Sequence, residues 1–426
     1  MKFCAIICEY NPFHNGHQYH IQESLRQSGC DGVICIMGGN FSQRGEPTIV
    51  EKYTRASMAI SGGASAVVQI PTYFCTANAE VFAQAAVKIA CSFKNVTHIS
   101  FGSECGDIKN LKELARFLNK EPEFYKSRIK RNLNDGFSLG RAKTHALEEC
   151  IDEGFVKFTN PDAVKKLLDF PNNILAIEYL RVLLNSNRTD ITPITVQRIN
   201  SVDEIEDSGL DYSYNFTNAS TIRSSVYASK RIWSIRKYIP EESFKIFSNS
   251  LRTISIPDLD VWGNIVFAKF RTASPNELKL NYDVCEGIEN KLITNARENV
   301  DFLEYVESCA SRRFTKARIQ RIITSCLLSL REQYVKQIYE IDRLPYIKLL
   351  AVKHNKEIMA DLSECDTILV TRKQDAIDAI KDPYAKVLMF AEDKANNLYS
   401  LLLDLNKDQQ KLFGVSDIYA KPLFIK

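Results

Sequence analysis

The stretch Phe3-Cys4-Ala5-Ile6-Ile7-Cys8-Glu9-Tyr10-Asn11-Pro12-Phe13-His14-Asn15-Gly16-His17 decides the fold. Its first six residues are apolar. They are far short of the ~20 residues a bilayer span needs. No small-residue cleavage site follows, so the segment reads as a buried first strand and not as an export signal. From 16 to 27 the pattern is helical, which makes residues 9–17 the loop between a first strand and a first helix.

Working outward, the alternation continues. Residues 32–37, 66–70 and 96–102 read as strands, and 50–61, 78–92 and 107–118 as helices. Continuously apolar strands alternating with helices imply a parallel sheet covered on both faces. Such sheets bind ligands at the carboxyl ends of their strands, which singles out the loops at 9–17, 38–47 and 102–104. Helices fill 121–190, one of them beginning near Pro171. Residues 191–199 read as a further strand, followed by the acidic loop Asp203-Glu204-Ile205-Glu206-Asp207. From 226 to 340 the pattern is mostly helical, and the tail holds two candidate strands at 347–352 and 367–371. The expected organisation is an α/β, Rossmann-like parallel-sheet domain at 1–225, a helical domain at 226–345 and a small α/β region at 346–426.

The bulk composition sets limits on partners. At about 150 residues per domain, a chain of 426 residues suggests two or three domains. The formal net charge is only +3, so any basic surface is local. Residues 312–356 hold eleven Lys/Arg against three Asp/Glu, interleaved with Phe314, Tyr334, Tyr339 and Tyr346. Such a surface suits single-stranded RNA, with Arg312, Arg313, Lys316 and Arg318 as candidate contacts. A solvated helix face carries the same signature. The 12 cysteines are scattered without a Cys-x-x-Cys pair, which reads as reduced thiols in a cytoplasmic protein. No apolar run implies a membrane partner.

The chemistry lies in the loop. Backbone N–H groups at a helix start face an incoming ligand, and the helix dipole favours phosphate. Pro12 fixes the turn, and Gly16 lets the backbone approach a nucleotide. His14 and His17, three residues apart, can converge on one phosphate and donate to oxygens that gain charge as pyrophosphate leaves. With 6 His and 17 Gly in the chain, chance predicts roughly 0.003 copies of His-x-Gly-His. No Cys or carboxylate cluster accompanies the pair, so no metal site is assigned.

His-x-Gly-His in this setting resembles the loop of nucleotidyltransferases and class I aminoacyl-tRNA synthetases. The longer run from Glu9 to His17 is similar to one family among them, the tRNA(Met) cytidine acetate ligases. Further matches are Gln43-Arg44-Gly45-Glu46-Pro47, Phe101-Gly102-Ser103-Glu104, Pro171-Asn172-Asn173-Ile174-Leu175 and Ala219-Ser220-Thr221-Ile222-Arg223. A looser match is Pro345-Tyr346-Ile347-Lys348-Leu349-Leu350. Two departures stand out: Thr217-Asn218 replaces the usual Ala-Ser pair, and Gly38 stands where the family usually shows serine. No Lys-Met-Ser-Lys-Ser loop appears, which argues against a synthetase.

The resemblance implies a nucleotidyltransferase-type first domain and a two-step ligase. Acetate attacks ATP, with Mg2+ accompanying the nucleotide. The acetyl group then passes to N4 of the wobble cytidine of elongator tRNA(Met). It implies His14 and His17 as catalytic, and an ATP site over Ile7, Cys8, Glu9, Tyr10, Asn11, Pro12, Phe13, His14, Asn15, Gly16, His17, Gln18, Tyr19 and His20, with Gly102, Asn172 and Arg198. Ser220 and Arg223 would bind phosphate. Read by themselves, Gly102 is also a plain strand-ending glycine, Glu104 a helix-starting residue, Asn172 an N-cap and Arg198 a surface arginine. Two other functions are compatible with the motif. A small-molecule adenylyltransferase needs no basic helical extension, and a non-catalytic nucleotide- or RNA-binding protein needs no intact His14 and His17.

Overall fold

A computed structural model of the chain describes residues 1–198, 215–229, 232–413, 416 and 420–426. The acidic loop at 203–207 lies outside them.

The sheet is organised by the two faces of its first strand. In β1 (Phe3–Cys8), Phe3, Ala5 and Ile7 enter one hydrophobic core, while Cys4 and Ile6 enter another on the opposite face. β1 pairs in parallel with β2 (Gly32–Gly38) and β4 (Val96–Ser103); β2 pairs with β3 (Ala66–Ile70), and β4 with β5 (Thr192–Gln197). Helices α1 (Asn15–Ser28) and α2 (Lys52–Ser61) cover one face. Helices α3 (Ala79–Ser92), α4 (Ile108–Lys120) and α5 (Pro171–Leu184) cover the other. The order β5-β4-β1-β2-β3 reverses at β1, so the loops after β1 and β4 diverge and leave a crevice at their carboxyl ends.

The tail does not build a sheet of its own. β6 (Tyr346–Lys353) pairs antiparallel with β3, and β7 (Ile368–Val370) and β8 (Leu423–Ile425) pair in parallel with β6. Residues 346–426 therefore extend the sheet of the first domain. The physical reason is the open edge of β3, whose unpaired N–H and C=O groups β6 satisfies.

The helical part lies against both faces. α6 (Ala219–Ser229) and α7 (Glu241–Thr253) join the α2 side, where Ser243 Oγ donates to the Met58 carbonyl at 2.9 Å. α8 (Leu259–Thr272), α9 (Ile288–Glu298), α10 (Phe302–Cys309) and α11 (Lys316–Leu328) pack around Trp262 and Tyr305 in the larger core. α11 rests on the loop after β2. Thr324 Oγ1 donates to the Gly45 carbonyl at 2.6 Å, and Gln320 Nε2 to Glu46 at 3.1 Å. Gly45 has φ +78°, and a Cβ there would lie 2.6 Å from the Gln320 carbonyl oxygen. Only glycine fits this contact.

Candidate active site

The loop from β1 to α1 is held from behind. Arg55 is fully buried and donates to the carbonyls of Glu9 (2.6 Å), Val50 (3.1 Å), Gly38 (3.1 Å) and Gly39. It thus ties the carboxyl ends of β1 and β2 together. Glu9 Oε1 accepts the Gln43 N–H at 2.5 Å, and Asn11 Oδ1 accepts that of Ile49 at 2.8 Å. Ile7, Pro12 and Phe13 are buried, and Cys8 Sγ donates to the Ile36 carbonyl at 3.7 Å. Tyr10 is buried against Phe13 and His17, its hydroxyl 3.3 Å from Cys35 Sγ. Asn15 donates to the carbonyls of Asn215 and Lys237, both at 2.9 Å.

His14 and His17 build the start of α1 between them. The His14 ring folds back so that Nδ1 accepts the Gly16 N–H at 3.1 Å; His17 Nδ1 accepts the His14 N–H at 3.2 Å. This is a capping box made of two imidazoles. Gly16 permits it, since a Cβ would sit 3.0 Å from His14 Cε1. The rings stack with centroids 3.6 Å apart and planes at 27°. Because each Nδ1 accepts, each neutral ring carries its proton on Nε2. Burial, followed by the Arg198 charge, holds the His14 pKa down to about 3. Burial and the neighbouring His14 push His17 well below its ordinary value. The two rings therefore offer a pair of neutral Nε2–H donors and do not repel each other. One turn on, His20 is lowered to about 4, again chiefly by burial, and its Nε2 lies 3.0 Å from Ser100 Oγ, itself 2.7 Å from Ser24 Oγ.

These donors open into a cleft of about 240 Å³ at the reversal point of the sheet. It is lined by His14, Gly16, His17, Tyr19 and His20 from the loop and α1, by Gly102 from β4, by Val196 and Gln197 at the end of β5 and by Arg198 just after it. Phe216, Thr217 and Asn218 close it. Of the residues the sequence placed at the ATP site, Ile7 to Phe13 and Asn15 form the support behind this wall. Gln18 is half-buried and does not line the cleft.

Asn172 and Arg198 are joined by Glu104. The Glu104 carboxylate accepts the N–H groups of Asn172 (3.3 Å) and Asn173 (2.9 Å), capping α5, and also Asn172 Nδ2 at 2.6 Å. Asn172 is left with its oxygen, which accepts from Arg198 Nη1 at 3.4 Å. Arg198 is an exposed cation on the cleft wall. At the opposite wall, Asn218 Oδ1 caps α6 by accepting the Thr221 N–H at 2.8 Å. Thr217 and Asn218, which depart from the expected pair, face the cleft. Ser220 is exposed beside them, and Arg223 is turned to the loop, donating to the Asn11 carbonyl at 2.8 Å.

The four basic residues of the α11 region have different surroundings. Arg313 pairs with Glu286 at 2.9 Å and Lys316 with Glu307. Arg318 forks onto Asp283 at 2.9 and 2.7 Å and lies 4.2 Å over the Phe314 ring. Arg312 is exposed, with no ion-pair partner among the described residues. Three of the four are thus paired with carboxylates from residues 283–307.

A family model described as HIGH Nucleotidyl Transferase matches residues 1–412. A tRNA(Met) cytidine acetate ligase of Thermoanaerobacter sp. (strain X514) is 35% identical over 406 residues, 94% of this chain and 95% of its own. The protein of that name from Clostridium perfringens (strain SM101 / Type A) is 36% identical over 405 residues, 94% of this chain and 96% of its own. The chain belongs to the tRNA(Met) cytidine acetate ligase family.

The fold agrees over its whole length. The apo crystal structure of Thermotoga maritima TmcAL matches with a TM-score of 0.89 at 27% identity, covering 100% of both chains. The structure of the same protein bound with alpha-thio ATP matches at 0.86 and 26% identity, covering 99% of this chain and 100% of that one. Membership in a family of ligases sets aside the non-catalytic reading and the small-molecule adenylyltransferase. Sequence reading missed Arg55, Gln197 and Phe216. Only Phe216 left a signal, as an aromatic directly before the Thr217–Asn218 turn.

Proposed function

We propose that this ligase joins acetate to ATP in the cleft at His14 and His17, and then acetylates N4 of the wobble cytidine of elongator tRNA(Met). In the first step an acetate oxygen attacks the α-phosphorus, the bond to the bridging oxygen breaks, and pyrophosphate leaves with acetyl-adenylate remaining. In the second, the cytidine N4 amine attacks the acetyl carbonyl carbon, loses a proton, and AMP leaves. The observation that carries this reading is the pair of neutral Nε2–H donors stacked at 3.6 Å on a helix N-terminus. Such donors stabilise charge that grows on phosphate oxygens without having to be reorganised. Arg198, across the cleft, supplies the full positive charge that pyrophosphate departure calls for.

Among the described residues the cleft wall carries no carboxylate, and no cluster of three His, Cys, Asp or Glu side chains suited to a metal occurs. These residues do not fit a resident Mg2+. Any Mg2+ would enter on the ATP phosphates with its waters, and no step is routed through it. The 226–345 region is proposed to hold the tRNA, and the enzyme to work in the cytoplasm.

The test supplies purified protein with ATP, Mg2+, labelled acetate and total tRNA, then digests the RNA. Label in N4-acetylcytidine, with acetate-dependent exchange of pyrophosphate into ATP, is expected. Exchange that ignores acetate, or tRNA left unlabelled, would overturn the reading.

A further inference from the structure

The chain has two tryptophans. Trp262 is 2% exposed in the core, whereas Trp233 is 61% exposed. Single exposed apolar side chains are common, but among the described residues Trp233 is the one exposed aromatic held by both a ring and a guanidinium on a turn tied to the catalytic loop. Trp233 sits on the 3-10 turn Ile232–Tyr238, which Ile235 anchors in the core at 2% exposure. The indole is braced: the Phe244 ring lies 5.8 Å away, and the Arg236 guanidinium 5.8 Å from the indole centroid. Arg236 is itself fixed by Glu241 at 3.0 Å. The turn holds two cations, two aromatics and no carboxylate. Lys237 is exposed and has no ion-pair partner among the described residues.

This turn is wired to the catalytic loop. Asn15, the residue between His14 and Gly16, donates to the carbonyls of Lys237 and Asn215 at 2.9 Å each. The next residue, Phe216, lines the cleft. Trp233 stands four residues from Lys237, about 8 Å along a 3-10 turn at ~2 Å per residue. The braced, solvent-facing indole thus belongs to the same turn that Asn15 ties to the loop of the imidazole pair.

We propose that Trp233 is a stacking platform for an unpaired base of the RNA substrate, with Lys237 facing the adjoining phosphates. The inference rests on the reading of the enzyme as a tRNA acetate ligase. A cytidine whose exocyclic amine must enter a narrow cleft leaves the stack of its own loop. Unstacked bases are held on aromatic faces, whatever their identity. The charge beside the indole suits a polyanion.

The full-length enzyme is compared with Trp233→Ala and Trp233→Phe. Two assays are run: acetate-dependent pyrophosphate exchange without RNA, and kcat/KM for tRNA acetylation. Stacking of one base corresponds to roughly 5- to 150-fold in affinity. Trp233→Ala is expected to raise the KM for tRNA by at least fivefold, a loss several times any loss in exchange, and Trp233→Phe to recover most of it. In parallel, an anticodon stem-loop RNA is titrated without ATP, and it should quench tryptophan emission in the wild type but not in Trp233→Phe. A KM changed less than twofold, equal losses in both assays, or wild-type emission untouched by saturating RNA would each overturn the inference. A wild type that quenches with RNA yet acetylates none would instead overturn the reading of the reaction and leave the platform standing.

Discussion

Replacing His17 by asparagine and, separately, by glutamine splits two functions of one imidazole. His17 Nδ1 accepts the His14 N–H at 3.2 Å, and Nε2–H is left for the cleft. An asparagine amide oxygen sits about where Nδ1 sits, so His17→Asn keeps the cap and removes the donor. A glutamine amide nitrogen reaches about as far as Nε2, so His17→Gln keeps a donor and gives up the cap. His14 is only 6% exposed, so its uncapped N–H gains little from water, and the loss costs about 1–2 kcal/mol of stability. Loss of a donor aimed at developing charge costs on the order of 100- to 1,000-fold in rate, about 2.7–4 kcal/mol in the transition state. His17→Asn should therefore unfold in urea within ~0.5 kcal/mol of the wild type, yet lose about 100-fold or more of acetate-dependent pyrophosphate exchange. His17→Gln should show the reverse, remaining within about tenfold in exchange while losing the 1–2 kcal/mol. A stable His17→Asn enzyme with wild-type exchange would refute the donor role outright.

Three further outcomes follow from the geometry. An unfolded imidazole titrates near 6.5, while burial holds His14 at about 3 and His20 at about 4 in the fold. Only the unfolded chain takes up these protons below pH 6.5, so stability, full above that value, should fall from pH 6.5 to 5; His20→Asn should flatten the slope, and calorimetry with no slope in the wild type would contradict this. Gly45→Ala puts a methyl against the backbone of Gln320 at a positive φ and should cost about 2 kcal/mol or more in urea unfolding. Arg318→Ala, losing a forked bond to Asp283, should cost about 1.5–3 kcal/mol and leave the salt slope of tRNA binding intact; Arg312→Glu should spare stability and lower that slope by roughly 0.7–0.9, and an unchanged slope would take Arg312 off the RNA surface.

What could be read from the sequence was what is local. β1 and β2 are continuous apolar runs and β3 is broken only by Gln69, and the limits of β1 to β5 fall within two residues or so of the expected ones. The His14–His17 loop was legible for the same reason, since strand, turn and helix start are contiguous. The pairing of β6 with β3 was not, because it joins residues some 280 positions apart and no periodicity reports a partner. β8 escaped notice altogether: three half-exposed residues carry no alternation worth reading. The basic stretch at 312–356 was legible as charge but not as surface. Asp283, Glu286 and Glu307 meet Arg318, Arg313 and Lys316 only in the fold, so a linear count cannot tell that these three cations are already paired.

The same distinction explains how the site works. Arg55, Arg223 and Asn15, three strongly polar side chains near the loop, donate to main-chain carbonyls at Glu9, Asn11, Asn215 and Lys237. In the sequence Asn15 and Arg223 read as candidate ligand contacts and Arg55 gave no signal; in the fold all three brace the loop. Their effect is to fix the loop before any nucleotide arrives, from both core faces and from the helical region at once. The polar groups left lining the cleft are the two imidazoles, Tyr19, His20, Gln197, the Arg198 guanidinium and the Thr217–Asn218 cap of α6. Fixed donors of this kind lose no reorganisation energy as charge shifts onto pyrophosphate, whereas mobile ones would. Hence the two histidines can remain uncharged. The charge they serve is transient, and a pair of permanently protonated rings 3.6 Å apart would repel each other whenever the cleft stood empty.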